Sequence, residues 1–277
     1  MSIESQPSMP IERESHGGLE SRVAEMSEKL RAAGIPVGPD LRLKMTNPED
    51  IARANAIKKG FRDSGGGGDD SELLIVYILN KYLGEDFVVV RSAVIDDQEN
   101  HADIIILDKK TKQTVCAIDG TEAIRTTLDL KRERIERRNI NKGGAELKYC
   151  LTLDKDEQFI IKKAKKVPLM LVSLPKQMVE DFIRAIDAPG SDTVRLERET
   201  FNLLLVSLYD GLIDMESRVQ ESLEDLKKNT RRRHHKSPLP PEVGQRENFI
   251  RKIQAFRQSL EPKLPHDYLE KLKKSVT

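Results

Sequence analysis

Two acidic residues, Asp103 and Asp119, are spaced so that they can act together on a metal ion. Asp103 directly precedes the apolar, β-branched run 104–107, and Asp119 directly follows the similar run 114–118. If these runs form a hairpin, the alternation of side chains along a strand puts Asp103 beside Asp119 on one face. Adjacent carboxylates repel each other, and a hard cation such as Mg²⁺ or Mn²⁺ relieves that repulsion. Such an ion lowers the pKa of bound water and stabilises charge on phosphate, which is the chemistry of phosphodiester hydrolysis.

The elements around these residues predict an α/β domain over residues 69–188. Asp69 and Glu72 have the spacing of a capping box at the start of a helix. Apolar and β-branched runs predict strands, and runs with helical periodicity and no Gly or Pro predict helices. The expected strands are 87–94, 102–107, 114–119, 148–153 and 169–174, and the expected later helices are 127–142, 156–166 and 176–186. The prediction is an αβββαβ core with a central mixed sheet flanked by helices.

This order of elements, together with the acidic residues, resembles the PD-(D/E)XK nuclease superfamily over about 120 of the 277 residues. In that superfamily an Asp of the second strand, an acidic residue of the third and a Glu of the first helix bind metal. Asp103 matches the first position, although Ala102 stands where Pro is usual. Asp119 matches the second position and Glu72 the helix position. The resemblance implies a Mg²⁺- or Mn²⁺-dependent nuclease, with Glu72 or Glu122 completing the metal shell.

The sequence departs from the family pattern at the catalytic Lys. That Lys stands two residues after the acidic group, where this chain has Thr121. Some members of the superfamily, including the cap-snatching endonucleases of segmented RNA viruses, carry the Lys in the following helix. Lys131 is then the residue expected to assist the attacking water. Its neighbours suit the phosphate backbone of DNA or RNA, and they are Arg132, Arg134, Arg137 and Arg138.

Simpler interpretations of the same residues remain open. The capping box alone explains Glu72, and residues 119–121 also fit a turn after a strand. His101, two residues before Asp103, is compatible with a ligand, a base or neither. Three functions follow: a metal-dependent nuclease, a catalytically inactive nuclease-fold scaffold in which Thr121 marks a decayed site, and a structural or regulatory protein that assembles through its C-terminal helix.

The flanking regions have a different character from the domain. Residues 1–68 predict a flexible N-terminus with short helices near 19–33 and from 48, ending in the Gly tract 65–68. Residues 189–277 predict a helical, partly basic region. Its apolar seam over 205–226 is expected either to pair with a second copy of the chain or to fold back on the domain. Residues 227–236 hold Lys, Arg and His but no acidic residue.

Composition limits the remaining classes of protein. A net charge of +1 gives no strong overall field, so affinity for nucleic acid must come from local basic patches. The mean hydropathy is −0.53, and no apolar run suits a signal peptide or a membrane span. Cys116 and Cys150 both fall in strand-like runs and are expected to be buried free thiols. These features predict a cytoplasmic or nuclear protein without membrane contact.

Overall fold

The computed structural model describes residues 28, 32, 41, 45–62, 69–122, 125–187, 191–233 and 240–276. The helices are α1 Pro48–Arg62, α2 Asp69–Leu83, α3 Val94–Asn100, α4 Arg125–Lys142, α5 Lys176–Asp187, α6 Ser191–Arg233, α7 Pro241–Leu260 and α8 His266–Val276. The strands are β1 Phe87–Arg91, β2 Ile104–Asp108, β3 Gln113–Glu122, β4 Ala145–Leu153, β5 Phe159–Val167 and β6 Leu169–Leu174. Apart from residues 28 and 32, the helix expected near 19–33 lies outside the described residues, as does the Gly tract.

A four-stranded mixed sheet with the order β1-β2-β3-β6 forms the centre of the fold. The strands β1, β2 and β3 are antiparallel neighbours, and β6 returns parallel to β3. In the β2–β3 pair Ile104 lies opposite Ile118, and the N–H of Asp103 extends the pairing by donating to the Ile118 carbonyl at 2.8 Å. The predicted α/β fold with a central mixed sheet is therefore confirmed.

Alternating side chains of the strands divide the core between the two faces of the sheet. One face packs against α2, α5, α6 and α7 through a large cluster that includes Val89, Ile104, Ile106 and Ile118. The other face packs against β4, β5 and Ile135 of α4 through a smaller cluster that includes Val88, Val90, Ile105 and Ala117. Cys116 and Cys150 are buried and free, as predicted.

Two predictions were wrong in the segment between β3 and β6. The strand predicted at 148–153 is β4, but it pairs with β5 in a separate two-stranded sheet and not in the central one. The helix predicted at 156–166 is instead β5, a strand. The cause is a turn: Oδ1 of Asp154 accepts hydrogen bonds from the N–H groups of Asp156 and Gln158, and Glu157 adopts φ 60°. The turn reverses the chain, and the next residues complete the hairpin.

The short helix α3 was also not predicted. The first strand ends at Arg91 and not at 94, and α3 occupies the segment before β2. Asp96 of α3 is fully buried, and its carboxylate accepts the N–H groups of Lys148 at 2.7 Å and Tyr149 at 2.8 Å. These bonds fix α3 on the start of β4. Burial raises the pKa of Asp96, and the two backbone hydrogen bonds partly oppose that rise.

The long helix α6 uses its apolar seam inside its own chain. Leu205, Leu208 and Leu212 have no exposed surface and belong to the large core cluster. Gly211 provides the close approach to β6, because a Cβ added there would lie 2.4 Å from Cε of Met170. Of the two arrangements expected for the seam, the described residues show the one that folds back on the domain.

Candidate active site

The structure brings Asp103 and Asp119 to adjoining positions on one face of the sheet. Asp103 lies on the same face as Ile105, and Asp119 on the same face as Ala117, because side chains alternate along each strand. Both are almost completely buried, with 6% and 3% of their surface exposed. Oδ2 of Asp103 accepts a hydrogen bond of 2.7 Å from the N–H of Gly120, which fixes this carboxylate against β3. The hairpin predicted from the sequence thus places both acids together.

Glu72 approaches the same strand end from the other side of the sheet. It is in the first turn of α2 and is buried. Gly120 of β3 offers no side chain there, and a Cβ built on it would lie 3.7 Å from Cγ of Glu72 and 3.3 Å from Cδ1 of Ile75. The N–H of the same Gly120 is bonded to Asp103. Glu72 therefore contacts the residue of β3 whose N–H holds the Asp103 carboxylate.

Asp97 is a fourth acidic residue at this place, and the sequence reasoning missed it. Its side chain lies close to that of Asp103 and is one of the neighbours that raise the pKa of Asp103. We refer to Glu72, Asp97, Asp103 and Asp119 as the acidic cluster. The adjacent acids Asp96 and Asp97, between two strands, were the available sequence signal.

Burial and the crowding of acids within the acidic cluster raise the pKa of Asp103. Burial is the largest cause that raises the pKa of Asp103 well above its usual range, and the charges of Glu72, Asp97 and Asp119 raise it further. Several buried like charges are costly to hold together without a cation. Groups with pKa values perturbed by burial and by specific neighbours concentrate at functional sites.

Lys131 of α4 supplies a positive charge to the acidic cluster. Its Nζ donates to Oδ1 of Asp119 at 2.6 Å, and a quarter of its side chain remains exposed. Lys131 is the residue expected from the resemblance to stand in for the Lys that is absent at position 121. Thr121, at the position where the resemblance leads us to expect Lys, follows Asp119 on the same face of β3 and pairs in register with Ser173 of β6.

Further cations of α4 face the link between α3 and β2. Nη1 of Arg134 lies 3.1 Å from Nε2 of His101, which adopts the left-handed conformation with φ 55° at the end of α3. Burial is the first cause that lowers the pKa of His101, and the charge of Arg134 is the second. Arg138 donates to the side chain of Asn100 at 3.1 Å. Arg134 and Arg138 thus lie on the side of α4 that faces α3.

The other basic and acidic residues proposed from sequence are placed differently. Arg132 pairs with Asp129 at 3.8 Å, and Arg137 pairs with Glu133, so both interact along the exposed surface of α4. Glu122 is the last residue of β3, and its side chain lies outside the described part of the structure. Glu72 remains the described candidate for completing a metal shell.

The donor set fits a hard divalent cation in its chemistry. All four members of the acidic cluster offer carboxylate oxygens, which Mg²⁺ and Mn²⁺ prefer. Among the described residues, no group of three or more His, Cys, Asp or Glu is arranged so that it could hold a metal ion. Mg²⁺ does not require such a group, because it is commonly held by one or two carboxylates and keeps several waters. The residues therefore suit an ion bound by few protein ligands.

Comparison with known proteins gives no family assignment. No family model matches the chain, and neither a curated protein nor a solved structure matches it. Within the residues that the structure describes, no helix is long and apolar enough to cross a membrane.

Proposed function

We propose that the protein is a metal-dependent nuclease that hydrolyses phosphodiester bonds of DNA or RNA. The observation that carries the proposal is the acidic cluster itself, in which the buried Asp103 is surrounded by three further acids. Asp103 and Asp119 would hold Mg²⁺ or Mn²⁺ through their carboxylates, with Glu72 as a further oxygen donor. Asp97 is a fourth oxygen donor beside Asp103. A bound ion supplies a Lewis acid for the phosphate and a water of lowered pKa.

The chain's own residues have separate roles in this reaction. Lys131 approaches from α4, so its ammonium group is available to stabilise charge on the phosphate or to orient the attacking water. Arg134 and Arg138 lie on the side of α4 nearest α3 and provide positive charge for neighbouring phosphates. Burial of Asp103 and Asp119 strengthens the electrostatic interactions of their carboxylates with a cation.

Metal binding and cleavage test the proposal together. The melting temperature of the wild type should rise with Mn²⁺ and Mg²⁺, because a ligand that binds only the folded state stabilises it. Asp103→Asn and Asp119→Asn should lose this rise, and cleavage of DNA and RNA should fall by orders of magnitude. Asp108→Asn is the matched control, because Asp108 lies at the opposite end of β2 and bonds to the turn at Lys110.

A binding protein with an inactive nuclease fold is the second candidate. Two observations favour it. Position 121, where active nucleases of this kind usually have Lys, holds Thr, and Lys131 is already paired with the Asp119 carboxylate. Wild-type protein that binds nucleic acid, yet cuts neither DNA nor RNA with either metal, would establish this alternative. Protein that neither binds nor cuts would contradict both candidates.

A further inference from the structure

The strand β5 is exposed along most of its length and strongly basic. Residues 159–163 are all exposed, although a strand normally buries every second side chain. The strand carries Lys162, Lys163, Lys165 and Lys166, and no acidic residue occurs from 158 to 179. Its partner in the two-stranded sheet is β4. We refer to these four lysines as the β5 lysines.

Local ion pairing does little to neutralise the β5 lysines. Lys165 pairs with Glu146 at 3.5 Å, but both side chains are more than 70% exposed, so water screens the interaction. Lys252 of α7 adds a further cation, because its Nζ donates to the carbonyl of Lys166 at 3.1 Å. The surface therefore keeps a local excess of positive charge in a chain whose net charge is only +1.

The strand leads toward the acidic cluster. After Val167 the chain passes through Pro168 directly into β6, and the Pro168 carbonyl accepts the N–H of Ala117 at 2.8 Å. Ala117 precedes Asp119 by two residues, which is about 7 Å along β3. A strand of this length reaches about 30 Å from that point. A phosphate backbone following β5 would thus pass close to the strand that carries Asp119.

We propose that the β5 lysines bind the phosphodiester backbone of a nucleic acid. The identity of this ligand rests on the proposed nuclease function. Lysines that contact phosphates release counterions from the nucleic acid, which makes the affinity fall steeply with salt. Phe159, Ile160 and Ile161 precede the lysines and are 36% to 42% exposed, so they offer apolar surface to unpaired bases. A two-stranded antiparallel ribbon also fits the major groove of a duplex.

Two other roles are conceivable for the same lysines. Charged side chains on an exposed edge strand prevent it from pairing with another chain, and this role needs no ligand. Lysines beside exposed apolar residues also attract an anionic lipid bilayer. Charge complementarity favours nucleic acid, since four cations stand beside only three partly exposed apolar residues.

The experiment measures binding of the full chain to fluorescent single-stranded and double-stranded oligonucleotides of one sequence, by anisotropy in EDTA. Affinity is followed from about 50 to about 200 mM salt. Two variants replace all four β5 lysines, one with Gln and one with Arg. The control replaces four exposed lysines elsewhere with Gln, namely Lys110, Lys176, Lys228 and Lys271. Comparing the single-stranded with the double-stranded probe shows which of the two the β5 lysines bind more tightly.

The Gln variant should lose at least about tenfold in affinity at low salt. The slope of log affinity against log salt should fall by about 0.9 per lost contact on duplex or about 0.7 on single strands. The Arg variant and the control should bind like the wild type. If the Gln variant binds nucleic acid as tightly as the wild type, the inference is wrong. Aggregation of a variant that still binds would show instead that the lysines protect the exposed edge of β5. The inference is also wrong if the wild-type protein binds phosphatidylserine vesicles through these lysines and does not bind nucleic acid.

Failure of this inference is distinguishable from failure of the nuclease proposal. The binding assay contains no divalent metal, so it does not depend on catalysis. Binding that requires the β5 lysines, without cleavage in Mg²⁺ or Mn²⁺, supports the surface and contradicts the nuclease. Cleavage that persists in the Gln variant with unchanged affinity supports the nuclease and contradicts the surface.

Discussion

Lys131 and Asp119 form an ion pair of 2.6 Å between α4 and β3, across 12 residues of sequence. Only 4% of the Asp119 side chain is exposed, so its charge is almost fully removed from water at that contact. The pair shows how a positive charge can reach the acidic cluster although position 121 holds Thr. Because Lys131 neutralises a carboxylate and does not donate electron pairs to an ion, its loss and the loss of an acid should have different effects.

Lys131→Ala should slow cleavage by about a hundredfold or more, which is the usual size of the effect when a preorganised donor to the transition state is removed. Affinity for Mn²⁺ should stay the same or increase, because Asp119 loses the cation that competes for it. Titration calorimetry and cleavage kinetics give the two quantities. Arg132→Ala is the matched control, since that side chain is 63% exposed and pairs with Asp129. Full activity in Lys131→Ala would remove Lys131 from the mechanism.

Gly120→Ala should impair the site more than the fold. The added methyl group would lie 3.3 Å from Cδ1 of Ile75, which must give by a few tenths of an ångström, and in ordinary contact with Cγ of Glu72 at 3.7 Å. We expect a cost of about 1 to 3 kcal/mol in the free energy of unfolding, as for other cases of overpacking. Metal affinity and cleavage should also fall, because Ile75 and Glu72 are three residues apart in α2 and the shift of Ile75 is expected to move Glu72 with it. Urea unfolding measures the stability of the variant first. Metal affinity and cleavage rate are then compared with those of the wild type under conditions in which both proteins are folded.

Gly244→Ala provides the control for that substitution. Gly244 lies in α7 with nothing within 4 Å of its Cβ position, so Ala there should stabilise the helix and leave the site unchanged. If Gly120→Ala keeps the metal affinity and the activity of the wild type, the packing of α2 against Gly120 does not affect the site.

The attachment of α1 to β4 should depend on pH through Asp50. Its carboxylate accepts hydrogen bonds from the Tyr149 hydroxyl at 2.9 Å and from Nζ of Lys148 at 3.1 Å. Burial acts to raise the pKa of Asp50, but these two hydrogen bonds outweigh it and lower the pKa below its usual value. A carboxyl group whose pKa is lowered by folding stabilises the protein above its unfolded pKa of about 3.9. That contribution disappears as the pH falls through the folded value.

Asp50→Asn should therefore be less stable than the wild type at neutral pH. The difference should shrink as the pH drops below about 4, because the wild-type carboxyl group then becomes neutral as well. Urea unfolding of both proteins across this range measures the difference. A gap that is independent of pH would show that the Asp50 contacts contribute through packing and not through charge.

The sequence predicted the central pair of the site but not its full set of acids. Alternation along two adjacent apolar runs was enough to place Asp103 beside Asp119, because both residues flank strands that pair directly. Lys131 was expected from the resemblance to nucleases that carry the Lys in the helix after the third strand, and it lies in α4. Asp97 could not be placed, because its position depends on how the short helix α3 docks on β4 through the buried Asp96. Such docking is a tertiary contact without a local pattern.

The basic strand β5 escaped prediction for a different physical reason. Residues 162–166 read Lys-Lys-Ala-Lys-Lys, which favours a helix by intrinsic propensity. The turn held by Asp154 and the pairing of Leu151 with Ile161 override that preference. The strand reads Phe-Ile-Ile-Lys-Lys-Ala-Lys-Lys-Val and lacks the alternation of apolar and polar residues that identifies a half-buried strand. Its first five residues are all exposed, so no buried face imposes that alternation.

The buried seam of α6 gives the last prediction. Leu212 is fully buried in the large core cluster, so Leu212→Asp places a charge where it has no partner, at a cost of several kcal/mol. We expect the variant to melt at a much lower temperature or to fail to fold. Leu203→Asp on the same helix should change little, since Leu203 is 37% exposed. Calorimetry and light scattering measure stability and mass. A Leu212→Asp protein that keeps its melting temperature but loses a dimer would mean that the seam serves assembly and not the core of this chain.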